Sequence, residues 1–184
     1  MLKIYKKLFT ILLIASLLFI IVGCNKVTAA VIPNHSIMQA SISIPDDVSK
    51  LANAYMLSAD IAANQVIDKD VKFKPDYISF NFTSNDALNQ DERNLMQELF
   101  KVYGVTVDDR GLNPPKRSIE ERARGIVIGF PSTTKYQTSD SDLTIPVDVY
   151  FGTNAYTYAC DFKIQNDKYI LFRWENVYVQ KVDW

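Results

Sequence analysis

The C-terminal third constrains this chain most, because its apolar residues alternate with a period of two through three successive runs. Ile145, Val147, Val149 and Phe151 share one face, and Tyr156, Tyr158, Cys160, Phe162 and Ile164 share the next. A period of two means extended chain with one face turned to a core. Gly152-Thr153-Asn154 turns the chain between these runs. Asn166-Asp167 separates the second run from a third, Tyr169 to Gln180, and both turn residues tolerate the positive φ of a two-residue hairpin. The expected result is an antiparallel meander whose last strand bends near Glu175-Asn176.

Helical spacing dominates upstream. Pro45, preceded by Ser43 and Ile44, with Asp46 and Asp47 in the first turn, predicts a helix start, since proline and acids both suit the positive end of a helix. Val48, Leu51, Tyr55, Ala59, Ala62 and Val66 recur every three or four residues, carrying that helix to about Lys69. Ile78, Phe80 and Phe82 then alternate as a strand. Asn89 and Glu92 form a capping-box pair for a second helix with the stripe Leu95, Met96, Leu99, Phe100 and Tyr103, stopped at Gly104. Val105 and Val107 predict a short strand. Ser118 and Glu121 predict one capped turn to Ala123, and Gly125 to Phe130 predicts a strand ended by Pro131.

Helices first and long strands afterwards predict an α+β domain over residues 44–184, with the N-terminal helices packed on one face of a curved, antiparallel sheet. This order of elements resembles the cystatin-like and NTF2-like rolls. The resemblance lies in the order alone and implies no activity, because such scaffolds host many.

The first residues do not belong to that domain. Lys3, Lys6 and Lys7 precede an apolar run from Leu8 to Val22, and Gly23 stands before Cys24. This charged, apolar, small-residue order is that of an export signal. The run is also shorter than the ~20 apolar residues a membrane span needs. Ile21-Val22-Gly23-Cys24 resembles the lipobox of bacterial lipoproteins, with Ile21 and Val22 where Leu and Ala or Ser are commoner. The resemblance implies a cleaved signal peptide over residues 1–23, a diacylglyceryl group on the Cys24 sulfur, and acylation of the new amino terminus by a palmitate-type chain. Each buried methylene contributes ~0.8 kcal/mol, so two or three chains hold a protein at a bilayer durably. Residues 24–43 then form a lipidated N-terminus and tether. The domain would face outside the cytoplasm, on the cell membrane or an outer membrane. An uncleaved signal anchor, or a secretory signal with a chance cysteine, are the alternatives. Asn25 is not the Asp that resembles an inner-membrane retention signal.

Without the leader, 161 residues remain, with 17 basic and 21 acidic. That length fits one domain. The mild acidity lacks the basic footprint of nucleic-acid binding, so no nucleic-acid partner is expected. With Cys24 assigned to lipid, Cys160 has no intramolecular disulfide partner. It could be a reactive thiol, an intermolecular bridge or a small core residue, and its alternation with Tyr158 and Phe162 favours the core.

Catalytic chemistry leaves few marks. His35 is the single histidine and falls in the tether, whereas neutral-pH acid–base work and metal sites favour histidine. No CxxC, HExxH, GxSxG, Walker or GxGxxG pattern occurs. Asp140-Ser141-Asp142 lacks the further acids and glycine of a calcium loop. Asp108-Asp109-Arg110 reads as an exposed strand end. Lys116, Arg117, Arg122 and Arg124 are interspersed with Glu120 and Glu121, which predicts a solvated surface more than a headgroup-binding patch. Trp174 and Trp184 are the aromatic residues best suited to an interface.

Together these features predict a membrane-anchored, non-enzymatic binding or assembly module with no cofactor or metal. The membrane is its partner through Cys24, and a protein partner is left open. Two alternatives remain. One is a small hydrolase or lyase with Asp148, Asp161 and Arg173 around a pocket of an NTF2-like roll. The other is a subunit of an envelope or conjugation apparatus.

Overall fold

A computed structural model describes residues 40–69, 74–82, 87–111, 117–131 and 141–181. Cys24, the leader, His35 and the tether up to residue 39 lie outside the described residues, as do Asp140, Lys116 and Trp184. The elements in chain order are α1 (Lys50–Lys69), β1 (Tyr77–Asn81), α2 (Gln90–Phe100), a 3₁₀ turn (Lys101–Tyr103), β2 (Thr106–Asp108), α3 (Ile119–Ala123), β3 (Gly125–Gly129), β4 (Leu143–Phe151), β5 (Asn154–Gln165) and β6 (Lys168–Lys181).

The predicted caps form. Asn89 accepts the Glu92 amide, and Glu92 reaches back to the Asn89 amide. Ser118 and Glu121 do the same for α3. Gly104 takes φ 71° and ends the second helical segment, while Asn166 and Asp167 take φ 49° and 62° in the last hairpin. Helix α1 starts later than Pro45 predicts. Ser49 accepts the Ala52 amide at 3.2 Å, so a serine hydroxyl satisfies the orphan donor. Residues 46–48 form a turn instead, with the Val48 amide on the Pro45 carbonyl.

The architecture is α+β with one six-stranded, mixed sheet in the order β2-β1-β3-β4-β5-β6. The expectation of a wholly antiparallel meander needs correction. Strand β1 pairs in parallel with both β2 and β3. Between β1 and β2 the chain carries helix α2, and a parallel partner requires such a crossover rather than a tight turn. From β3 onward every pair is antiparallel.

Alternation divides the sheet into two faces. Ile78, Phe80, Ile126, Ile128, Ile145, Val147, Val149, Tyr158, Cys160 and Phe162 join Ala52, Tyr55, Met56, Ala59, Ala62, Ala63 and Val66 of α1 in one core. The alanines bring α1 close to β3, β4, β5 and β6. Phe100 of α2 meets Phe80 edge-on, with ring centroids 4.9 Å apart.

The last strand departs from a regular ladder twice. Residue pairs step from Phe162↔Leu171 to Asp161↔Arg173, and from Tyr158↔Asn176 to Thr157↔Tyr178. Phe172 and Val177 are therefore bulged residues, and the second lies next to the predicted bend at Glu175-Asn176.

Candidate functional site

The side of the core nearest the chain's described start is open. Successive turns of α1 present Lys50, Asn53, Leu57 and Ile61, a spacing of three and four, toward the hairpin tip Asn166–Leu171. Between them lies a cleft of about 980 Å³, also lined by Ala40, Asp46, Val48 and Ser49. Val48, Leu57, Ile61 and Leu171 give it apolar walls. The rim is charged and balanced: Lys50 pairs with Asp167, and Lys168 lies 3.5 Å from Asp46. The Ser49 hydroxyl at the cleft is committed to the α1 cap and to Glu92, at 2.5 Å. Apolar walls with a few polar groups at the mouth suit binding of an apolar body, and the volume lies in the range of ligand sites.

The outer edge beside this cleft is β6, which among the described residues has a neighbour on one side only in the sheet. It runs for 14 residues. Ile170, Phe172, Val177, Tyr178 and Val179 along it are exposed, the last two by more than half. A long apolar edge strand is a template for pairing with another chain.

Asp148, Asp161 and Arg173 lie on the opposite face of the sheet, alternating with core positions. Arg173 meets Asp161, whereas Asp148 pairs elsewhere. Asp161, fully buried, receives Arg173 through Nε at 2.9 Å and Nη2 at 2.5 Å, and also the Thr144 hydroxyl at 2.6 Å. Asp148 accepts the Thr157 hydroxyl at 2.6 Å. Burial raises the Asp148 carboxyl above the ordinary carboxylate range, against the lowering effect of that bond. Each carboxylate is held by its cross-strand partner.

Asp108 is a hub rather than an exposed strand end. It accepts Ser79 Oγ at 2.5 Å, Arg110 Nε at 2.8 Å and Arg117 Nη2 at 2.7 Å. Burial alone would raise this carboxyl, but these bonds outweigh it and hold it below the ordinary value. Arg117 is buried, and its guanidinium lies 3.4 Å from the centroid of the Tyr77 ring. Of the basic group predicted around it, Arg117 is buried and serves Asp108, whereas Arg124 is exposed, 3.3 Å from Asp76, as a solvated surface predicts. Asp142 accepts the Ile164 amide and Ser141 bonds to Thr144, so these two residues of the predicted oxygen-rich loop tie down the ends of β4 and β5.

Trp174 is half-buried and packs edge-on against Tyr158. Cys160 is fully buried, and burial pushes its thiol up to about 12. Among the described residues no group of three His, Cys, Asp or Glu is placed to hold a metal, and no helix is long and apolar enough to cross a membrane. Sequence reasoning missed the cleft and the Ser79–Asp108–Arg117 cluster. The cleft joins segments more than a hundred residues apart, and only the spacing of Leu57 and Ile61 beyond Asn53 hinted at a second apolar stripe on α1.

Comparison with protein-family models, with curated proteins and with solved structures yields no match. The functional reading therefore rests on this chain's own residues.

Proposed function

We propose that this chain is a lipid-anchored, extracytoplasmic bacterial lipoprotein whose domain is a non-enzymatic binding and assembly module. Its binding surface is the open edge of β6 together with the adjoining cleft. The observation that carries this reading is the 14-residue edge strand with exposed Ile170, Phe172, Val177, Tyr178 and Val179. Exposed apolar residues along an open strand edge mark a site for pairing with another chain. The polar face supports the same reading, because Asp148, Asp161 and Arg173 are engaged with their strand neighbours. A roll-like sheet curved around the helices belongs to this proposal, as does the Cys24 anchor.

Two measurements test it. Replacing Cys24 with Ala should abolish lipid labelling and release the protein from membranes; a protein still membrane-bound and unchanged in labelling sinks the anchor. A photocrosslinking amino acid at Val179, in the full chain in native membranes, should trap a discrete adduct. Absence of any adduct there removes β6 as the binding surface.

A further inference from the structure

The β6 edge is complementary to itself, and we infer that two copies of this chain pair through antiparallel β6 strands across a two-fold axis at Trp174. This deepens the reading above and rests on it for the choice of surface. A two-fold interface places the same patch of both copies in contact, so residue i meets residue j and j meets i. With Trp174 opposite Trp174 of the second copy, Arg173 lies opposite Glu175 of the second copy, and the contact occurs twice. Ile170 then meets Tyr178, and Tyr169 meets Val179.

The bulges allow this register. In the β5–β6 ladder, Ile170 lies opposite Lys163 and Tyr178 opposite Thr157, both on the face away from α1. Tyr169, opposite Ile164, and Val179, opposite Tyr156, lie on the α1 face. One bulge falls on each side of Trp174, at Phe172 and Val177, so the faces match again beyond both. The neighbouring registers fail on charge or on face. Moving the pairing by two residues sets Arg173 against Arg173, or Glu175 against Glu175. Moving it by one toward the C-terminus sets Lys168 against Lys181 and mixes the faces of Ile170 and Val179. Moving it by one the other way sets Arg173 against Trp174, again from opposite faces. Like charges directly opposite destabilise a strand pair, and opposite charges stabilise it.

In this pairing Arg173 keeps its bonds to Asp161 through Nε and Nη2. Lipid anchoring would favour the pairing further by confining both copies to one surface, which raises their effective concentration.

The register is readable by disulfide trapping in the full-length chain, in membranes, under mild oxidation. Ile170 and Tyr178 are both exposed, at 42% and 54%, so cysteines there leave the core intact. They lie eight residues apart on one strand, roughly 26 Å at strand rise, so they cannot bridge within one copy. The variant carrying Ile170→Cys and Tyr178→Cys should give a covalent dimer, as should a mixture of the two single variants. Each single variant alone should match the parent chain, whose Cys24 and Cys160 set the background. Adding Glu175→Lys, a change at an exposed position, should lower the dimer yield by ~fivefold through repulsion with Arg173. No dimer from the double variant, or a dimer from either single variant alone, overturns the pairing. If the Val179 photocrosslinker instead traps an unlike protein while the cysteine pair stays monomeric, the binding reading survives and the pairing of copies does not.

Discussion

The ring of Tyr77 lies flat across Gly125 on the neighbouring strand, so close that a Cβ at Gly125 would stand 2.1 Å from Tyr77 Cζ. The two residues are register partners in the parallel β1–β3 pair. Arg117 stacks on the same ring, 3.4 Å from its centroid, and bonds to Asp108, so glycine, tyrosine, arginine and Asp108 are linked at the parallel end of the sheet. Each layer fixes the next. The tyrosine can lie there only because the strand beneath it has no side chain.

Gly125→Ala should therefore destabilise the fold by about 3 kcal/mol, as expected when a packed interior must admit an atom with no space for it. Urea unfolding of the variant measures this. Tyr77→Ala in the Gly125→Ala background should recover part of the loss, since it removes the clash. Equal stability of Gly125→Ala and the parent would show that the ring moves aside freely.

Arg173→Ala leaves Asp161 as a fully buried carboxylate without its cation, the Thr144 hydroxyl still donating to it. Breaking one partner of a buried pair costs ~3–5 kcal/mol, and the partial exposure of Arg173 places this case at about 2–3. A double-mutant cycle with Asp161→Asn checks the assignment: the two changes together should cost less than their sum, because the second removes the stranded charge.

Stability should depend on pH in two opposite ways. The Asp108 carboxyl is lowered in the fold by its hydrogen bonds, so the stability it contributes is present above its ordinary value of 3.8 and is lost as pH falls below it. Asp60 and Asp148 are raised by burial, so the folded state holds their protons more tightly than the unfolded chain. Their effect is a decline in stability as pH rises through the window just above 3.8. Asp148→Asn should flatten that decline while leaving the acid limb set by Asp108. Chemical denaturation midpoints between pH 3 and pH 7 separate the two limbs.

Cys160 should be silent to thiol reagents while the domain is folded. Its thiol is buried and is pushed up to about 12, so almost no thiolate is present at pH 8. A chromogenic disulfide should react with it only in denaturant, at the rate of unfolding. Prompt reaction in buffer would contradict the core position of this strand residue.

Much of the local structure was legible because its causes are local. A capping box such as Asn89–Glu92 needs residues three apart, and an Asn-Asp hairpin needs only its own two dihedrals. The alternation of Ile145 to Phe162 marks which face enters the core, whereas Ile164, at the end of the same pattern, is exposed. By contrast, nothing near Ile78 states that its strand will run parallel to both Thr106–Asp108 and Gly125–Gly129. That choice depends on the α2 crossover and on which edges remain open. Likewise Asp108 looks exposed beside Asp109 and Arg110. Only the approach of Ser79, 29 positions earlier, and Arg117, nine positions later, turns it into a hub.

By itself the sequence determined the elements, their caps and turns, and the two faces of the long strands. These follow from dihedral preferences and from the periods of helix and strand, which act over a few residues. The tertiary structure decided the sheet order, the partners of Asp108 and Asp161, the cleft beneath the last hairpin and the exposure of β6. Those depend on which surfaces meet once chain entropy and burial are balanced over the whole domain. A residue's neighbours along the chain do not carry that information.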